Sequence, residues 1–311
     1  VGADFVLRSA SRLAAMLGVK PILIGLTVVS IGTSMPELAV GLTAVKEGMG
    51  PMAVGNIAGT NILNIMFILG LSAAIRPLKI YLQSIRLDVP VMIGTSIVLI
   101  LISLDGILRR WEGLVLLLGA LAYLLVLVRT SLKAPPAVKK EFAEEFSKTV
   151  LIKKQFSPKL LAVFNGVLLL VGMALTILGA DLLVTGAVSI AKAIGVSDAV
   201  IGLTIVAIGT SAPELATTLV ATIKDDRDVA IGNLIGSSIT NILVILGLTC
   251  VVAGNINVGN DILLIDLPLS ALVAIVCYPV FRSDRMVSRV EGSLFVTCYL
   301  LYLAYLLFFR A

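Results

Sequence analysis

Two glutamates sit where an apolar chain should not tolerate them. Glu37 and Glu214 interrupt the otherwise uncharged stretches 31–39 and 208–216. A carboxylate in such a setting costs about 2.5–3.5 kcal/mol on membrane-insertion scales. No Lys or Arg lies in the surrounding apolar segments to pair with either acid. Each glutamate directly follows a proline, in Thr33-Ser34-Met35-Pro36-Glu37 and in Thr210-Ser211-Ala212-Pro213-Glu214. Proline has no N–H and disrupts the hydrogen bond to the fourth residue back. The break frees the carbonyls of Gly32 and Gly209 and loosens those of Thr33 and Thr210. Irregular backbone at membrane depth survives only where it lines a cavity or is buried in protein. Carboxylates beside loosened carbonyls make an oxygen site for a hard cation. Calcium takes roughly six to eight oxygens at about 2.3–2.6 Å and tolerates irregular geometry. Two carboxylates also match its charge.

A second matched pair of segments supplies neutral oxygens. Residues 55–64 read Gly-Asn-Ile-Ala-Gly-Thr-Asn-Ile-Leu-Asn, and residues 232–241 read Gly-Asn-Leu-Ile-Gly-Ser-Ser-Ile-Thr-Asn. Asn64 and Asn241 lie one helical turn beyond Thr60 and Ser237, on the same face. Each amide can offer an oxygen to an ion. The paired glycines, Gly55 with Gly59 and Gly232 with Gly236, should let these helices approach the glutamate-bearing ones closely.

These correspondences hold in one frame of 177 residues. Residues 24–27 recur at 201–204, residues 31–39 at 208–216 with eight of nine identical, and residues 68–71 at 245–248. Gly2-Ala3-Asp4 recurs as Gly179-Ala180-Asp181. An apolar stretch from Leu160 precedes the second copy of that tripeptide, so the first helix is expected to be cut short at Val1.

Elements able to position such a site are read from hydropathy and helix breakers. With 59% hydrophobic and 14% charged residues, the 311-residue chain has too little charge for a water-facing surface. Its apolar runs suit bilayer-spanning helices of about 20 residues. The expected spans are 1–17, 21–45, 51–75, 88–104, 113–129, 159–194, 197–223, 229–252, 261–281 and 292–309. The fold class is therefore an all-α polytopic membrane protein. Five spans per half force the second half to enter from the opposite side, giving two inverted five-helix repeats. The halves are expected at 1–130 and 159–311, joined by a hydrophilic linker at 131–158. Loops on the linker side carry 17 Lys or Arg, against 5 on the other. Basic residues concentrate on the cytoplasmic side, so the linker should be cytoplasmic and the protein a multi-pass component of the cell membrane. The net charge of +5 is explained by these loops, and nucleic acid is not an expected partner. Cys250, Cys277 and Cys298 lie in apolar segments without metal-binding spacing. The chain has no histidine and no nucleophile–base pair, which argues against an enzyme and leaves carboxylates to carry any transported proton.

The paired Gly-Thr-Ser-x-Pro-Glu motifs resemble the α-repeats of the calcium/cation antiporter superfamily, over essentially the whole chain. That superfamily includes sodium/calcium and proton/calcium exchangers. The resemblance implies a ten-helix fold in which the second, third, seventh and eighth helices surround the ion. It implies that Glu37 and Glu214 are the main ligands and that Thr33 and Thr210 give backbone carbonyls. Ser34, Ser211, Thr60 and Ser237 would then add polar contacts. One departure bears on the counter-ion. In sodium/calcium exchangers one of the positions matching Asn64 and Asn241 is often aspartate, whereas both are asparagine here. The Thr-Ser-x-Pro-Glu wording, by contrast, resembles the sodium branch. The expected activity is export of Ca²⁺ in exchange for H⁺ by alternating access, with Na⁺/Ca²⁺ exchange on the same fold as the alternative and a passive cation channel as a third. No cofactor is expected. The expected partners are Ca²⁺, its counter-ion and the lipid bilayer.

Overall fold

The computed structural model describes residues 1–17, 19, 21–80, 82, 84–132, 158–193 and 207–309. The central linker and the first part of the expected seventh span lie outside the described residues. Among the described residues ten longer helices follow in order, with a single helical turn (Ala207–Thr210) before the seventh. They are α1 (Gly2–Leu17), α2 (Ile22–Lys46), α3 (Gly50–Ile75), α4 (Ser84–Ile102) and α5 (Arg110–Leu132), then α6 (Pro158–Ala193), α7 (Ala212–Ile223), α8 (Arg227–Ala253), α9 (Ile262–Ser283) and α10 (Arg289–Phe309). All except α1 and α7 are long and apolar enough to cross a bilayer. The protein is an all-α membrane protein.

Two features were not read from the sequence. First, α5 and α10 begin earlier than hydropathy suggests, because polar residues cap them. Glu112 accepts a hydrogen bond from the Arg109 N–H, and Glu291 accepts one from the Ser288 N–H (2.8 Å). A carboxylate reaching back to a free N–H at a helix start is half of a capping box. Second, two short antiparallel ribbons close the ends of the molecule. β1 (Leu78–Lys79) pairs with β4 (Met286–Val287), and β2 (Ile107–Leu108) pairs with β3 (Ile256–Asn257). Each ribbon joins a loop of one half to a loop of the other.

Packing also crosses between the halves. α10 lies against α3 and α5 against α8, while α4 and α9 pack on each other. The α3–α10 and α5–α8 crossings need glycine. A Cβ on Gly292 would stand 2.5 Å from the Gly70 carbonyl oxygen, and one on Gly113 would stand 2.7 Å from that of Gly247. Backbones meet at both crossings, as small residues permit in helix pairs without a hydrophobic driving force. Gly232 and Gly236 likewise bring α8 onto Ile22 and Leu26 of α2. The matching expectation for α3 fares differently. Gly55 meets Ile262 of α9, and Gly59 has no described neighbour, its expected partner segment lying outside the described residues. Outside this core, α1 runs along α6, and both touch α7.

Candidate cation site

The glutamate-bearing helices break where proline dictates. α2 is interrupted at Ser34 (φ −85°, ψ 8°), and the chain before α7 turns at Ser211 (φ −90°, ψ 8°). Glu37 and Glu214 follow in the first turn of the resumed helices. Each lies nine residues before its helix ends, at Lys46 and Ile223, or about 14 Å in at 1.5 Å per residue. Because the halves are inverted, those distances run from opposite faces. The two distances together come close to the thickness of a hydrocarbon core, about 30 Å.

They are also braced to each other's segments. The Ser34 hydroxyl donates to Glu214 Oε1 (3.2 Å), and the Ser211 hydroxyl donates to Glu37 Oε1 (3.4 Å). Ser211 also lies 3.4 Å from Thr60 Oγ1. Thr210 reaches the Glu37 carboxylate as well. Glu37, Glu214, Asn64, Asn241, Ser34, Ser211 and Ser237 are fully buried, with Thr33 and Thr60 nearly so. Several buried oxygens of the expected ligands have no hydrogen-bond partner: Glu37 Oε2, Glu214 Oε2, Asn64 Oδ1 and Asn241 Oδ1. Ser237 Oγ lies near Glu214 without a well-formed hydrogen bond. Unpartnered buried polar atoms are rare and costly. The hydroxyls of Ser34, Ser211, Thr210 and Ser237 beside the two carboxylates are oxygens of the kind a hard cation would bind. Among the described residues, no third acid, thiol or imidazole joins these two carboxylates. The negative charge of the site among them is thus at most that of two acids.

The expected residues divide by role. The hydroxyl of Thr33 is shared: it donates to the Ser30 carbonyl (3.4 Å) and to Asn233 Oδ1 (3.2 Å), and it also reaches the Glu214 carboxylate. Asn233 in turn donates to Thr218 (3.3 Å), tying α2, α8 and α7 together.

Asn61 was missed in the sequence. Its Nδ2 donates to the backbone carbonyl of Ser238 (3.1 Å), which can only accept. That fixes the Asn61 amide, so its Oδ1 must face Asn241, and Asn241 must answer with its own Nδ2 (3.1 Å). The Asn241 oxygen is thereby turned away from Asn61 and left unpartnered. Asn64 has no such guide, and neither of its amide atoms is bonded. Position 61 matches Ser238 in the repeat, so identity between halves could not point to it. Asn64 and Asn241 lie in wide turns with i→i+5 bonding, Leu63–Leu69 and Asn241–Leu246. Such turns occur often at functional sites.

The sequence and the fold have known relatives. The family described as "Sodium/calcium exchanger protein" matches residues 1–129 and 164–308. A protein of Alkalimonas amylolytica named as an antiporter, CaxA, is 36% identical over 311 residues, covering 98% of this chain and 94% of its own. The sodium/calcium exchanger MaX1 of Methanosarcina acetivorans is 29% identical over 337 residues, covering 99% and 95%. Among solved structures, the sodium-calcium exchanger NCX_Mj superimposes with a TM-score of 0.80 at 30% identity, over 97% of this chain and 92% of that one.

Proposed function

The chain belongs to the sodium/calcium exchanger protein family, and from that premise we propose that it exports Ca²⁺ in exchange for H⁺ by alternating access at Glu37 and Glu214. The observation that carries this reading is the reciprocal bracing of the two glutamates by Ser34 and Ser211. It brings one carboxylate from each inverted half to one place, each with a free oxygen. The ligand set is Glu37, Glu214, Asn64 and Asn241, the carbonyls of Thr33 and Thr210, and the hydroxyls of Ser34, Ser211, Thr60 and Ser237. Site geometry of this kind suits inverted-repeat transporters, which bind ions near the midplane between broken helices.

Charge counting favours protons as the counter-ion. Two carboxylates are neutralised by one Ca²⁺ or by two protons. Three Na⁺ would leave an unbalanced positive charge at the membrane centre, which is unfavourable without another acid. Two Na⁺ would balance, and the Thr-Ser-x-Pro-Glu wording and the similarity to named sodium/calcium exchangers support that second reading. Alternating access would come from α1 and α6, which lie together outside the core, sliding across it. In this reading residues 1–130 and 159–311 are the two halves. The linker at 131–158 is cytoplasmic, because the basic residues concentrate on its side of the cell membrane.

The test is Ca²⁺ flux in reconstituted vesicles. Flux driven by a proton gradient in sodium-free medium is expected. Flux only under a Na⁺ gradient at constant pH would assign the counter-ion to sodium, and downhill flux insensitive to either gradient would mean a channel.

A further inference from the structure

On the face where α5 ends and α6 begins, the β1–β4 ribbon ties the loop before α4 to the loop after α9. The Ile80 N–H donates to the Arg285 carbonyl (2.7 Å) and extends the ribbon. Beside it lies a cavity of about 360 Å³ lined by Leu82, Ile85, Arg86, Tyr278, Arg282 and Arg285. Three guanidinium groups and no carboxylate line it. None of the three arginines forms an ion pair with any described residue. The nearby Asp284 lines an adjoining cavity, with Lys79 and Arg285.

The backbone at Arg285 is a second observation. Its φ is +52°, in the left-handed region that disfavours a side chain. The opposite face carries the same turn before the other ribbon. There the matching residue is Gly106, with φ +79°. Aligning β2 with β4 sets Gly106 against Arg285 and Ser103 against Arg282. Aligning Asp88 with Asp266 sets Arg86 against Leu264. All three arginines are therefore peculiar to one face of a symmetric fold, and one occupies a position where glycine is the unstrained choice. Strain retained at a single residue points to a use for its side chain. The topological preference for basic loops accounts for the charge on this face. It does not require three guanidiniums around one cavity, nor an arginine at a left-handed turn.

We propose that this cavity binds a phosphate group, that of an anionic phospholipid in the leaflet on the linker side. Guanidinium forks match phosphate oxygens geometrically and keep their charge at any physiological pH. Leu82, Ile85 and the Tyr278 ring form the apolar wall along which the glycerol and the first acyl carbons would lie. The cavity sits at the ends of α4 and α9, at headgroup level, where basic pockets between helices hold anionic lipids. A bound headgroup would clamp those two helix ends together. The proposal is independent of which ion drives calcium exchange.

The experiment compares the full chain in phosphatidylcholine nanodiscs with and without phosphatidylglycerol, reading melting temperature and, by native mass spectrometry, retained lipid. Phosphatidylglycerol should raise the melting temperature and stay bound. Arg285→Gly restores the residue of the other face, so it should be at least as stable as the parent in phosphatidylcholine and yet lose both effects. Arg86→Gln and Arg282→Gln should also lose them. Arg110→Gln, on the opposite face, should keep them. An increment retained in Arg285→Gly and Arg86→Gln, or lost equally in Arg110→Gln, would overturn the site in favour of general surface charge. Inorganic phosphate added to phosphatidylcholine discs should have no effect. The same increment from it would mean a site for a free anion and overturn the lipid assignment.

Discussion

The centre of the molecule keeps the symmetry of its two halves, and the two faces break it. At the centre, Ser34 holds Glu214 and Ser211 holds Glu37, at 3.2 and 3.4 Å. At the faces, matched ribbons carry Arg285 on one side and Gly106 on the other. The loop between α7 and α8 reads Lys224-Asp225-Asp226-Arg227, and its match between α2 and α3 reads Glu47-Gly48-Met49-Gly50. The charged version grips α1: Ser11 donates to Asp226 (2.8 Å), and Lys224 pairs with Asp4. It also holds the end of α3 through Arg76 and Asp225 (2.8 Å). An exchanger must offer an ion similar ligands whichever side it arrives from, so its centre gains from duplication. Each face meets its own medium, so the same fold is free to differ there.

The largest expected effect tests the symmetry of the centre. Glu37→Gln and Glu214→Gln each remove half of the site's charge and almost no volume. Each should reduce Ca²⁺ flux in vesicles to background while the purified protein still elutes as a folded species. Near-normal flux in either variant alone would show that the halves are not equivalent and that the site is misassigned.

Next in size is the grip on α1. A short thiol cross-linker between cysteines replacing Ser11 and Asp226 should stop exchange, with recovery on reduction. Full exchange with the cross-link in place would mean that α1 does not slide across the core, and the linker-face contacts would then be static.

A smaller effect is expected where the centre itself departs from symmetry. Asn61→Leu removes the acceptor that orients Asn241, and one buried hydrogen bond of about 1 kcal/mol should go with it. The Ca²⁺ concentration for half-maximal flux should rise by several-fold, up to about tenfold, with little change in maximal rate. Asn61→Asp keeps an acceptor for Asn241 and should retain more of the native affinity. Ser238→Ala keeps the backbone carbonyl that sets Asn61, so it should behave as the parent. A defect in Ser238→Ala equal to that in Asn61→Leu would break the chain of orientation.

The smallest effect concerns pH at the linker face. Burial pushes the Asp226 carboxyl above the usual carboxylate range, with Asp225 adding repulsion, and Ser11 and the Val229 N–H partly offsetting both. A group whose folded value is raised favours folding most below its unfolded value, and that contribution is lost as pH rises through the folded value. Asp226→Asn keeps the cap on Val229, since asparagine caps helices about as well as aspartate. It should therefore flatten the dependence of melting temperature on pH just above the ordinary aspartate range, gaining slightly at neutral pH. An unchanged pH profile would remove Asp226 from the list of groups that distinguish this face.

Much of this protein is written in its sequence because membrane spans and proline breaks are local. Runs of apolar residues announce the helices whatever they pack against, and Pro36 and Pro213 break the backbone without help from any neighbour. The 177-residue repeat then matches Glu37 with Glu214 and Asn64 with Asn241, and the odd number of spans per half dictates inversion. Helix starts were less legible. Arg110 and Arg289 look like loop residues until Glu112 and Glu291 are seen to cap the turns beside them. What only the tertiary structure decided are contacts between residues far apart in the chain. The serine braces span 180 and 174 residues, and the Asn61–Asn241 bond spans another 180. Packing α5 on α8 and α10 on α3 exchanges helices between the halves, and no periodicity encodes which partner a lipid-facing helix will choose. The meeting of Arg86 with Arg282 and Arg285 is of the same kind, since their loops lie about 200 residues apart in sequence. Burial and backbone breaks are set by each segment's own chemistry, whereas the partners of a buried oxygen or a guanidinium are set by how two inverted halves close on one another.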